Sequence, residues 1–131
     1  MVERIESSGG LEEFDAIVEK IELEEGIEGR KQYHLILNPT SFVVKGSSKK
    51  MHEWLPLSRT ASENAIPQGS VLDKFLMQVE IMFSEAKKKS TVFEELSILV
   101  GKKFKFKKLK LGRDFNDKKA REYLVPVAYL Q

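Results

Sequence analysis

Two stretches of this chain alternate apolar and polar residues and then change phase, a pattern that narrows the possible folds sharply. Phe14, Ala16 and Val18 share one phase, whereas Ile21 and Leu23 fall on the other. Phe104 and Phe106 likewise share a phase, and Leu109 and Leu111 take the opposite one. A period of two belongs to a strand with one buried face. A phase change within it is the mark of a β-bulge, because one extra residue sends all later side chains to the other face. The second stretch is also polybasic. Lys102 to Leu111 reads Lys-Lys-Phe-Lys-Phe-Lys-Lys-Leu-Lys-Leu, a strand that packs a core on one side and offers positive charge on the other. Its bulge is expected near Lys107.

The other elements follow from turn and helix signals. Glu24 to Gly29 reads as a turn, and Gln32 to Leu37 is a second strand with Tyr33, Leu35 and Leu37 on one face. Asn38-Pro39 ends it, since proline cannot donate to a central ladder. Phe42-Val43-Val44 is a brief pairing segment, and Met51 to Leu57, with the only tryptophan, Trp54, is a third strand. Ser58 to Gly69 is loop. Ser70 caps a helix expected from Val71 to about Lys87, whose stripe holds Val71, Leu72, Phe75, Leu76, Val79, Met82 and Phe83. Thr91-Val92-Phe93-Glu94 opens a shorter helix with a capping box, burying Val92, Phe93, Leu96 and Leu99, and Gly101 stops it. Gly112 to Arg121 is a charged loop. Tyr123 to Leu130 is the last strand, with Tyr123, Val125, Val127 and Tyr129 on one face, and Pro126 marks it as an edge.

Composition removes several classes of function. With no cysteine in 131 residues, disulfides, thiolate metal sites and cysteine nucleophiles are excluded. Two histidines, His34 and His52, leave no histidine-rich metal site, and a carboxylate site needs clustering that only folding reveals. Ser47-Ser48-Lys49-Lys50 matches Ser-x-x-Lys but lies in a loop without the partner motifs of penicillin-recognising enzymes. Gly26 and Gly29 bracket acidic residues that would repel phosphate. No enzyme activity, cofactor or metal is expected. No apolar run reaches the roughly 18 residues of a membrane span, and Met1 to Gly10 lacks the apolar stretch of a secretory signal. A cytoplasmic protein is expected, with a disordered lead at 1–11 and one domain at 12–131.

The net charge of +2 conceals a polarity along the chain. Residues 1–29 hold ten acidic and two basic residues, and residues 87–121 hold thirteen basic and four acidic ones. Such asymmetry points either to a charged partner or to two ends that neutralise one another across the fold.

The order strand, strand, strand, helical insert, strand, strand, with phase switches in the first and fourth strands, resembles the oligonucleotide/oligosaccharide-binding (OB) fold. That fold is a five-stranded Greek-key barrel. The resemblance implies a mainly β barrel with its helix, here followed by a short second one, between strands three and four. It further implies single-stranded DNA or RNA as the ligand, laid over strands two and three. Such a face requires aromatic platforms for bases and cations for phosphates. The candidates are Tyr33, His34, Trp54 and Phe42, with Lys31, Lys45, Lys49, Lys50 and Arg59 nearby. Arg113, Lys118, Lys119 and Arg121 come from the last loop, and Lys103, Lys105, Lys107 and Lys108 form the densest cationic track. Each has a plainer role as well. Tyr33 shares its phase with core leucines, Trp54 is either core or platform, and His34 is expected to be exposed. The lysine track also protects an edge strand. The expected function is non-catalytic binding of single-stranded nucleic acid. The alternative is an assembly subunit, a homo-oligomer built by acidic-to-basic docking or edge-strand pairing.

Overall fold

The computed structural model describes residues 13–26, 29–40, 50–58, 61–111 and 121–131. Five strands form one antiparallel sheet: β1 (Glu13–Glu25), β2 (Lys31–Pro39), β3 (Met51–Pro56), β4 (Lys103–Lys110) and β5 (Glu122–Tyr129). Their order across the sheet is β3-β2-β1-β4-β5. Between β3 and β4 lie helix α1 (Val71–Met82), a 3₁₀ turn (Ser84–Lys88) and helix α2 (Val92–Ser97). The fold is thus mainly β with a helical insert. The lead, the segment Phe42-Val43-Val44 and the loop 112–120 lie outside the described residues.

β1 is the longest strand, and its register explains the phase switch. Val18 pairs with Leu37 and Lys20 with Ile36, so Glu19 is the extra residue. Phe14, Ala16 and Val18 point into the core before the bulge, and Ile21 does so after it. Were Glu19 paired in regular alternation, Lys20, Glu22 and Glu24 would take the inward positions, at a large desolvation cost. The second irregularity lies elsewhere than expected. Lys105 pairs with Ala128 and Phe106 with Pro126, so the extra residue is Val127 of β5 rather than one of β4 near Lys107. Pro126 is accommodated because β5 is an edge strand with a bulge beside it. Ahead of that bulge both phases of β5 are covered, with Tyr123, Leu124 and Val125 all buried.

The helices begin where their caps lie. The Ser70 hydroxyl accepts from the Asp73 N–H at 3.2 Å, and the Thr91 hydroxyl accepts from the Glu94 N–H at 3.2 Å. Both acids reach back one residue further than a capping box, to the N–H groups of Gly69 and Ser90. α1 ends at Met82, short of the expected Lys87, because Phe83 turns extended while its N–H still donates to Val79. Its ring packs against Phe104 and Tyr129, at centroid distances of 5.9 and 5.1 Å. That contact outweighs the local helical pattern, and Lys87 and Lys88 fall in the 3₁₀ turn. Phe93, expected to be buried, is 42% exposed because α2 turns Val92 and Leu96 inward instead. Gly101, at φ 82°, takes the left-handed conformation that stops the element and donates its N–H to Val18.

One hydrophobic core lies between the sheet and the insert. Tyr33, Leu35, Leu37, Leu55, Phe75, Val79, Leu96, Leu99, Phe104 and Phe106 are all completely enclosed. Phe14 stacks on Phe106 across the β1–β4 ladder at 5.9 Å, which ties the two bulge-adjacent strands together. α1 packs against both β3 and β5, the two outer strands of the sheet.

No backbone ladder joins β3 to β5 among the described residues. A buried carboxylate spans the seam instead. Glu53 of β3 is only 3% exposed. Its Oε2 accepts from the Leu124 N–H of β5 at 3.0 Å, and its Oε1 meets the Arg121 guanidinium at 2.6 Å. Arg121 also covers the Tyr123 ring at 4.5 Å.

Replacing Glu53 with alanine strands the buried Leu124 N–H, a loss of about 1–3 kcal/mol by the usual cost of an unsatisfied donor. Urea denaturation is expected to show a lower midpoint for Glu53→Ala, with Glu53→Gln in between because it retains an acceptor. A second prediction concerns Glu95 of α2, whose carboxyl is raised to about 7 by burial and by the nearby Glu80 charge. One of its oxygens is buried without a hydrogen-bond partner among the described residues. An acid raised above its unfolded value of 4.5 contributes stability that is present below that value and lost as pH rises toward 7. Melting temperature should therefore fall between pH 4.5 and 7, and Glu95→Gln should flatten that decline.

Candidate functional site

The outward face of β2 and β3 carries a cluster of three rings. In β2 the inward phase is Tyr33, Leu35 and Leu37, so Gln32, His34 and Ile36 face out. In β3 Glu53 and Leu55 point in, leaving His52 and Trp54 outside. The register pairs His34 with Trp54 directly. Their rings stack at 4.7 Å with planes 16° apart. His52, two residues from Trp54 on the same face, lies 5.7 Å from its ring at 16° and 5.0 Å from the His34 ring.

Glu24 at the end of β1 organises the cluster. Its Oε1 accepts from the Trp54 indole N–H at 3.0 Å and from the Gln32 amide at 3.4 Å. Its Oε2 lies 2.9 Å from His34 Nδ1. The hydrogen bond from His34 holds the Glu24 carboxyl below its ordinary range, against a smaller opposing effect of burial. The N–H groups of Trp54 and Gln32 add to the lowering. With Glu24 ionised, His34 Nδ1 carries the donated proton. A neutral His34 then accepts at Nε2 from His52 Nδ1, 2.8 Å away. The three residues form a line of hydrogen bonds running from a carboxylate to an exposed imidazole.

Next to the rings is an open groove of about 850 Å³, lined by Gly29, Arg30, Lys31, Gln32, Pro56, Leu57, Ser58 and Ala61. Gln32 and Pro56 are cross-strand partners, the next outward pair beyond His34 and Trp54. Arg30 and Lys31 are both exposed and make no salt bridge among the described residues, although Glu25 stands opposite Lys31 in the ladder.

The residues expected to bind are redistributed by this geometry. His34 and Trp54 come together on one face, and Lys31, which shares the phase of Tyr33 in β2, is exposed in the adjoining groove. Tyr33 does not join them: it is 0% exposed, enclosed with Leu35 and Leu37, and cannot stack on a base. His34, expected to be exposed, is 9% exposed because Trp54 and His52 cover it. Lys103, Lys105 and Lys107 do lie along β4, but the ladder sets Lys107 opposite Glu13 and Lys105 opposite Asp15. Lys105 Nζ reaches Glu13 at 3.2 Å. Two of the β4 lysines are thus laid beside carboxylates of β1, whereas Lys103 stands opposite Ile17. Arg121 is committed to Glu53. Lys49, Arg59 and Arg113, with Phe42, Lys45, Lys118 and Lys119, lie outside the described residues. Lys50, also considered at the sequence level, pairs with Glu19 at 2.6 Å.

Three contributors escaped the sequence reading: Glu24, Gln32 and His52. For Glu24 the signal was present in the bulge, since a phase change after Val18 turns Glu22 and Glu24 outward, next to the strand that carries His34. No model of a known protein family matches the chain, and no curated protein sequence matches it significantly.

Removing the Glu24 carboxylate releases the indole N–H and His34 together. Glu24→Ala is expected to increase acrylamide quenching of Trp54, the sole tryptophan, while the melting temperature stays near that of the parent. Unchanged quenching would show that ring packing alone fixes the indole.

Proposed function

We propose that this chain is a non-catalytic module that binds single-stranded nucleic acid across the outward face of β2 and β3. The observation that supports it is the near-parallel cluster of His34, Trp54 and His52 beside a groove with two exposed cations, Arg30 and Lys31. Ring faces accept any base by stacking, and each stacked base contributes about 1–3 kcal/mol. The cations offer the phosphate contacts. Within this reading the sheet is an OB-like Greek-key barrel left open at the β3–β5 seam, which Glu53 bridges and α1 covers.

Lys105 and Lys107 of β4 take a lesser part, because Asp15 and Glu13 stand opposite them. Binding is therefore expected to depend on rings first and on salt only moderately. Two phosphate contacts on a single strand give a slope of about −1.4 in log affinity against log salt.

The test is a Trp54 fluorescence titration with a single-stranded oligothymidine at two salt concentrations, with calorimetry for variants that lack the fluorophore. Trp54→Ala should weaken binding between about fivefold and a hundredfold, as expected for one lost stack. Arg30→Gln combined with Lys31→Gln should flatten the salt slope. Absence of binding to the parent protein at low salt overturns the proposal. Loss of binding on neutralising Lys103, Lys105 and Lys107, with Trp54→Ala unaffected, moves the interface to β4.

A further inference from the structure

Glu22, Glu24 and His34 bring two carboxylates and an imidazole to one point on the sheet, and this holds independently of any nucleic-acid role. Glu22 and Glu24 are two residues apart on the outward face of β1, and His34 stands directly opposite Glu22 in the ladder. Their ligand atoms all lie within 4.8 Å of one another. Donors around a tetrahedral zinc ion, at about 2.0–2.2 Å from the metal, stand roughly 3.4 Å apart. The adjustment required is at most about 1.4 Å, within reach of the Glu22 side chain, whose other partner is the exposed Lys20 at 2.5 Å.

Two of the three groups are already oriented from behind. Glu24 Oε1 is held by the Trp54 and Gln32 N–H groups, which leaves Oε2 directed at His34 Nδ1. His34 is buried and its Nε2 is tied to His52 Nδ1. Hydrogen bonds on the far atoms of ligands are what orient a metal site. His52 itself cannot share the ion through Nδ1. Its 2.8 Å separation from His34 Nε2 is a hydrogen bond, and the His34 atom facing the carboxylates is Nδ1.

We propose that Glu22, Glu24 and His34 form a divalent-metal site suited to Zn²⁺, with His52 as a positioning residue. A mixed imidazole and carboxylate set favours zinc over magnesium, which dehydrates reluctantly and prefers oxygen donors. Three protein ligands leave a coordination position for water or an anionic ligand. The charges balance, since two carboxylates and a neutral imidazole match the ion. When the metal takes Nδ1, the proton there leaves to water. His52 passes its Nδ1 proton to His34 Nε2 and takes one from water at its own Nε2, so neither ring changes charge. Metal binding would also relieve the repulsion between Glu22 and Glu24.

The experiment is isothermal calorimetry of the full chain with ZnCl₂ alone in a non-chelating buffer, with Trp54 emission followed in parallel. The indole hydrogen-bonds to a ligand carboxylate, so its emission should change as the site fills. One equivalent of zinc is expected to bind, and MgCl₂ should neither bind nor compete. Glu22→Gln and Glu24→Gln should each weaken zinc affinity at least tenfold, and His52→Phe about tenfold, the usual effect of removing a supporting hydrogen bond. Glu22 is partly exposed, so its variant reports on ligation rather than folding. Glu85→Gln, in the 3₁₀ turn, should bind as the parent does. No zinc binding, or equal losses in Glu22→Gln and Glu85→Gln, overturns the site.

Discussion

A single extra residue in the first strand sets the positions of nearly everything of chemical interest. Glu19 breaks the register of β1 against β2, so that Ile21 continues the core that Phe14, Ala16 and Val18 begin. The same half-turn of the strand presents Lys20, Glu22 and Glu24 to the outside. Because β2 is held in register beyond the bulge, His34 arrives opposite Glu22, and Trp54 arrives opposite His34. The outward carboxylates of β1 are thus consequences of one unpaired position, while the rings meet through the regular β2–β3 ladder. Bulges near functional sites re-aim side chains in this way.

The second determinant is how the sheet treats charge. β4 lies antiparallel to β1 in a register that faces lysine with carboxylate. Among the described residues, part of the polarity along the chain is therefore met within the sheet, where Lys105 and Lys107 stand opposite Asp15 and Glu13. Solvated pairs of this kind contribute little to stability, but they reduce the field that a polyanion would feel. What remains distinctive lies on β2 and β3, where rings and two cations adjoin a groove. The other buried charge, Glu53, serves architecture. It supplies at the β3–β5 seam the hydrogen bonds that a ladder would otherwise make.

Much of this was legible in advance where the physics is local. Alternation identified all five strands, the caps Ser70 and Thr91 identified both helices, and the phase change after Val18 identified the bulge. Pro126 marked an edge correctly because proline lacks the donor a central strand needs. Local signals failed where distant residues decide. The helical pattern running to Lys87 stops at Met82 because Phe83 is drawn to Phe104 and Tyr129. The second bulge falls on β5, not β4, since a mismatch between two strands can be absorbed by either.

The candidate site divides along the same line. The outward phase of His34 was readable in β2, because alternation separates it from Tyr33 and Leu35, whereas Trp54 stayed either core or platform because its neighbour Glu53 is a carboxylate that points inward. That Glu24 would bind Trp54, thirty residues away, and that the lysines of β4 would meet Glu13 and Asp15, depends on which strands become neighbours. Sequence by itself determined the strands, the first bulge, the caps and the inward face of β2, since each is a matter of spacing and of whether a side chain tolerates burial. Tertiary structure alone decided which charges cancel and which polar groups converge, because strand order and register are set by the packing of the whole core.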